Sequence, residues 1–305
     1  MHREGRAARH LHAVLCGVFG VALAGLWANP AFSGEAEIRL VTRGDDIGSC
    51  HAADVACIQC YREGIVRTVE IMVPGPWFNE AVKMLDETPG LDVGVHLVLT
   101  SEWELCKWRP LTGAPSLVDG QGCFFPMTSQ RSDFPPHTGF LQSGFKIEEV
   151  EKELRAQIEL ARKMIPRVSH LTSHMGTPTC TKELRALVER LSQEYRLPLE
   201  LPPAVRNAPS FGGANKATDR KEADLVRILE DLTLGTWHII EHPGLDTPEM
   251  RGIGHLGYWN VAEDRAGVTQ AFTSAKVKDV IKRRGITLMS YAELYKSTKA
   301  ENGRR

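Results

Sequence analysis

Charge of either sign is nearly absent from the balance: 37 Lys and Arg face 38 Asp and Glu, leaving the 305-residue chain at −1. No basic excess exists to neutralise phosphates or to dock on an anionic bilayer. That argues against nucleic acid and membrane-surface partners and favours a neutral one. Long hydrophobic runs are missing too: the uncharged apolar stretch Ala13–Ala28 falls short of the roughly 20 residues a spanning helix needs. Cysteine is poorly spaced for a zinc knuckle, because Cys57 and Cys60 have no second close pair to complete it. The same pair lies inside a helical stretch, whereas a redox CxxC sits at a helix start. No internal repeat or low-complexity tract is visible, which excludes repeat architectures.

What is present is ordinary globular composition, 42% hydrophobic and 25% charged. The length admits two domains, or a single α/β barrel of roughly 250 residues. Arg3, Arg6 and Arg9 precede the apolar stretch, and Ala31 and Ser33 follow it at spacing suited to cleavage. Residues 1–33 therefore read as a signal peptide, with an uncleaved anchor as the alternative, and imply an exported, periplasmic or secreted protein. Cys50, Cys57, Cys60, Cys106, Cys123 and Cys180 remain, either as buried small hydrophobes or with one structural bridge.

Strand-like segments at 37–42, 67–73, 92–99, 168–173, 198–202, 236–241 and 286–290 alternate with helical ones at 51–64, 77–87, 147–165, 181–193, 220–232 and 275–284. Helical spacing is clearest in 147–165, where Ile147, Val150, Leu154, Ile158, Ala161 and Ile165 share one face. The alternation predicts an α/β fold with a parallel sheet. Residues 101–146 and 242–268 lack periodicity, which suits lid or binding loops. The body of the fold is expected over 34–298, with a frayed tail at 299–305.

Asp45 and Asp46 follow the first predicted strand, His96 lies in the third, and His174 and His242 end the fourth and sixth. Sites in α/β sheets gather at the carboxyl ends of strands. Taken singly, Asp46 could cap the helix near His51, His96 could be a core histidine, and His174 and His242 could be turn residues. Taken together, carboxylates and imidazoles from four strands form a donor set suited to a divalent metal. His170 shares the strand parity of His174 but lies deeper, in keeping with a buried structural role.

Several stretches resemble the YdjC-like carbohydrate deacetylase family, relatives of the polysaccharide deacetylases. They are "DDIG" at 45–48, "GVHLVLT" at 94–100, "RPLTGAPSLVD" at 109–119, "HLTSHMG" at 170–176, "HPG" at 242–244 and "GITLMSYAEL" at 285–294. The resemblance implies a single distorted (β/α) barrel of about seven parallel strands that removes acetyl groups from N-acetylated sugars or oligosaccharides. It implies one divalent metal, Zn²⁺ or Mg²⁺ foremost, on Asp46, His96 and His174, with Asp45 as base and His242 as proton donor to the leaving amine. The chain departs from the family pattern at Gly176, where a second histidine is common, and at His238, where an acid is. Trp103, Trp108 and Arg109 are candidates for sugar contacts. A different metal esterase or phosphodiesterase, or an inactive carbohydrate-binding barrel, are the alternatives.

Overall fold

The computed structural model describes residues 37–199, 201–213 and 216–302; the leader read at 1–33 and residues 303–305 of the tail lie outside them. Seven strands form one sheet: β1 (Ile38–Ile47), β2 (Thr68–Ile71), β3 (Asp92–Leu97), β4 (His170–Ser173), β5 (Arg206–Asn207), β6 (Gly235–Glu241) and β7 (Thr287–Met289). Their order is β4-β3-β2-β1-β6-β5, with β7 beside β1, and every pairing is parallel. β7 flanks the first half of β1 and β2 the second half, while β6 runs along its other edge. The result is an open, half-barrel α/β sheet, the arrangement expected when strands alternate with covering helices.

The helices are α1 (His51–Arg62), α2 (Phe78–Asp86), α3 (Ile147–Met164), α4 (Lys182–Tyr195), α5 (Thr218–Asp231), α6 (Pro248–Arg251), α7 (Val261–Thr273), α8 (Ala275–Arg283) and α9 (Tyr291–Asn302). On α3, Val150, Leu154, Ile158 and Ala161 are buried as the spacing predicts, but Glu153 and Gln157 are buried with them. Gln157 brackets Val98, accepting from its N–H and donating to its carbonyl, and Glu153 accepts from Leu111 N, Thr112 N and the Thr112 hydroxyl. The helix thus fastens the chain that leaves β3 through polar groups, because that chain has no ladder to satisfy its amides.

Several sequence expectations are corrected. The strand expected at 198–202 lies instead at β5, because the proline-bearing stretch around Pro198, Pro202 and Pro203 cannot supply a run of ladder donors. Within the expected 242–268 loop, α6 and most of α7 are helical. α9 continues beyond residue 298 to Asn302. The six cysteines among the described residues are unpaired, so no bridge forms there. No helix among the described residues is long and apolar enough to cross a membrane.

The β1–α1 junction carries an unusual carboxyl. Asp54 is fully buried; its Oδ1 accepts from Gly48 N at 2.5 Å and its Oδ2 has no partner. Burial, with Glu80 and Glu249 nearby, pushes it up to about 8. Because the folded value is raised above that of the unfolded chain (about 4), this group favours folding most in acid. The contribution falls as pH rises from about 4 to about 8, by at most about 1.4 kcal/mol per pH unit, and is flat above. Asp54→Asn keeps the acceptor for Gly48 and removes the titration. Denaturant unfolding should show wild type losing stability relative to Asp54→Asn between pH 5 and 8; parallel curves would refute it.

Candidate metal centre

Successive residues of a strand point to opposite faces, so Asp45 and Asp46 should not reach one site. They do so because β1 shifts register between Gly44 and Ile47, and Asp46 adopts φ 71°. The bulge places both carboxylates inside the last turn of the strand, not after it as the sequence suggested. Gly48, at φ +96°, then turns the chain into α1; a Cβ there would meet the Met72 carbonyl at 2.9 Å.

Asp46, His96 and His174 are buried, and one ligand atom from each lies within 4.8 Å of the others. His174 Nδ1 is 3.4 Å and His96 Nε2 3.7 Å from Asp46 Oδ1. That oxygen has no hydrogen-bond partner although it is buried. An orphaned carboxylate oxygen facing two imidazole nitrogens fits a divalent cation, whose ligands are this donor set. The other oxygen, Oδ2, accepts from Arg265 Nη2 at 2.8 Å. Against burial, Arg265 and His242 hold the Asp46 carboxyl well below the usual carboxylate range.

The outer nitrogens are also engaged. His174 Nε2 is 3.0 Å from Glu102 Oε2, and His96 Nδ1 is 2.8 Å from Thr172 Oγ1. Such partners orient imidazole ligands. The surroundings push the two rings in opposite directions. Burial lowers His96 to about 4, only partly offset by Asp45; for His174, Glu102 and Asp46 overcome burial and raise it to about 10.

Asp45 is gripped by Arg43, whose Nε and Nη2 donate to its two oxygens at 2.6 and 2.7 Å. Against burial, Arg43 and then His96 lower it to about 2. Arg43 Nη1 donates to the Tyr291 hydroxyl, which lies 2.8 Å from His238 Nε2. His238 therefore stands behind Arg43, and burial with Arg43 alongside lowers it to about 3. His242 is 44% exposed, with Nε2 4.0 Å from Asp46 Oδ2. Glu241 turns away from it, accepting from Ser210 Oγ, Phe211 N and Gly212 N. Gly244 completes the "HPG" turn where α7 passes closely: a Cβ there would meet Arg265 Cβ at 2.7 Å.

Asp45, Asp46, His96, His174, His242 and Arg265 line a cavity of about 770 Å³ with Trp103, Met175, Gly176, Tyr258 and Asp264 among its walls. The structure gathers Asp45, Asp46, His96, His174 and His242 there. It does not gather all the expected sugar contacts. Arg109 is exposed and outside the cavity wall. Trp108 is buried, donating its indole N–H to Thr100 O, with its ring 5.9 Å from that of His174. Trp103 reaches the wall but is 4% exposed, stacked on His255 at 5.4 Å and overlain by the Arg265 guanidinium at 5.3 Å. Both indoles thus have protein partners, and Trp103 still lines the cavity.

Sequence reasoning missed Arg43, Glu102, Thr172 and Arg265. Arg43 and Asp45 are two apart on β1, a spacing that signals a shared face. Nothing in the sequence pattern marks Arg265.

Fold and site together define a parallel α/β protein in which an Asp-His-His cluster has the spacing of a metal-ligand set, beside an ionised second aspartate. The YdjC-like protein family matches residues 39–283, and the chain belongs to it. A carbohydrate deacetylase of Brevibacillus brevis is 27% identical over 84% of this chain and 100% of its own length. Another, of Thermus thermophilus, is 31% identical over 70% of this chain and 80% of its own. In structure, the chain resembles one described as a cellobiose-phosphate cleavage protein of Enterococcus faecalis V583, with TM-score 0.68 and 24% identity over 85% of this chain and 99% of that one. That likeness bears on the fold alone.

Proposed function

We propose that the chain is a carbohydrate deacetylase that hydrolyses the acetamide of an N-acetylated sugar or oligosaccharide, and that it does so with one divalent metal held by Asp46, His96 and His174. The observation carrying this reading is the unpartnered Asp46 Oδ1 facing two imidazole nitrogens beside the ionised Asp45. The relatives' named activity supports the same choice. When bound, the ion supplies positive charge that polarises the acyl oxygen and acidifies water. Two imidazoles and one carboxylate suit Zn²⁺ better than Mg²⁺, which prefers oxygen donors.

Asp45 takes the proton from the attacking water. Arg43 fixes the plane of its carboxylate and leaves lone pairs free, since a carboxylate has about four acceptor sites. His242, at the open side of the cavity, gives a proton to the departing nitrogen, which is too basic to leave as an anion. The near-neutral chain and the leader at 1–33 fit a neutral glycan met outside the cytoplasm.

The test is acetate release from a panel of N-acetylated mono- and oligosaccharides, with chelated and metal-reloaded protein. Release that chelation abolishes and reloading restores is expected. No release from any sugar by protein shown to hold metal would overturn the reading.

A further inference from the structure

Beneath the metal centre lies a buried polar group that the chemistry above does not use. Glu70 projects from β2 and His170 from β4, both with no exposure. His170 Nε2 is 2.8 Å from Glu70 Oε1, and Thr172 Oγ1 donates to Glu70 Oε2 at 2.5 Å. The register sets Gly94 of β3 between Glu70 and His170. A Cβ at Gly94 would come within 2.2 Å of Glu70 Oε2 and 2.4 Å of His170 Nε2, so the glycine makes room for the pair. Apolar residues of similar volume commonly replace a buried ion pair without loss of stability. Stability alone therefore does not account for the arrangement.

Counting protons does. His170 and Arg43, acting against burial, hold the Glu70 carboxyl below its ordinary value, so both its oxygens accept. Thr172 has one hydroxyl proton, and that proton goes to Glu70. Toward His96 Nδ1, 2.8 Å away, the hydroxyl can then only accept. Nδ1 thus carries the ring hydrogen. Nε2, which faces Asp45 Oδ2 at 3.8 Å and Asp46 Oδ1 at 3.7 Å, carries the lone pair.

We infer that Glu70, acting through Thr172, is the positioning residue that locks His96 in its Nδ1–H tautomer and so presents Nε2 to the metal. The inference rests on the metal reading of the site. It also separates the two histidine ligands: Glu102 touches His174 directly, whereas Glu70 reaches His96 through a hydroxyl. A ligand whose second nitrogen is satisfied loses no affinity to the competing tautomer.

Two measurements test it. In metal-free wild type, the ring ¹⁵N shifts of His96, assigned against His96→Gln, should show the Nδ1–H form; the Nε2–H form would overturn the inference. Titration with Co²⁺ and with Zn²⁺ should then show Thr172→Val binding about 10–100-fold more weakly, and Thr172→Ser, which keeps the hydroxyl, within a few-fold of wild type. Wild-type affinity in a Thr172→Val protein with an intact thermal transition would overturn it. A Thr172→Val chain that does not fold leaves the decision to the ring shifts. Wild type that binds neither ion would overturn the metal reading instead, while the ring shifts still decide the tautomer.

Discussion

Asp45→Asn should lower acetate release by about 10²–10⁴-fold, the usual range for loss of a positioned general base. The expectation comes from where Asp45 sits. Its two oxygens receive Arg43, its Oδ2 lies 3.8 Å from His96 Nε2, and it lines the cavity. Lowered to about 2, it is ionised throughout any working pH range, so its own titration sets no acid limb in a rate profile measured above about pH 4. A carboxylate this acidic is a weak proton acceptor by itself, and the proposed mechanism therefore needs the acidified water that a divalent ion supplies. Asparagine places an amide N–H₂ against a guanidinium that needs an acceptor, leaving Arg43 with Glu70, 3.9 Å away, and the Tyr291 hydroxyl. The variant should melt lower than wild type, and rates should be compared per folded molecule. Release undiminished on that basis would remove Asp45 from the base role.

The architecture was readable where periodicity was strong. The apolar face of α3 and six of the seven strand positions followed from spacing alone, because covering helices and parallel strands bury regular stripes. β5 and α7 were not. β5 has two residues, too few to make a pattern, and α7 is buried around much of its circumference, with Val261, Asp264, Arg265, Val268 and Phe272 all inside, so no polar face marks it as a helix. The gathering of Asp45, Asp46, His96, His174 and His242 was legible because strand ends converge. The manner of it was not: the bulge at Asp46 is a backbone event that no side-chain pattern encodes. The polar layer below was written as isolated charges in apolar strands, Glu70 in "TVEIMV" and Arg43 before "GDD". Such residues are unusual enough in a buried strand to announce partners, but the partners come from other strands and cannot be paired without the register. The surroundings of the two indoles were equally out of reach of the sequence: Trp103 packs against His255 and Arg265 and Trp108 donates its N–H to Thr100, contacts between distant segments that no local pattern encodes.

Asp46→Asn should abolish the thermal stabilisation that a divalent ion confers on wild type, which amounts to about 2.7 kcal/mol at a hundred times the dissociation constant. In the proposed site Asp46 contributes a ligand oxygen, and it is also the counter-charge for Arg265, so the single variant mixes two effects. Arg265 is buried, its Nε has no partner, and Asp46 is the carboxylate it contacts at 2.8 Å. Removing that charge should cost the ion-free protein about 3–5 kcal/mol, the range for stranding one member of a buried pair. The double variant Asp46→Asn with Arg265→Met separates the effects. Its ion-free stability should return toward wild type, because no unpaired cation remains. Its response to added ion should stay lost, because the ligand oxygen is still gone. Melting each protein with and without Zn²⁺ reads both quantities at once. An ion response that persists in Asp46→Asn would remove this residue from the metal site. Full stability of the ion-free single variant would show that Arg265 finds its counter-charge elsewhere, with Glu102, which also lines the cavity, the first candidate.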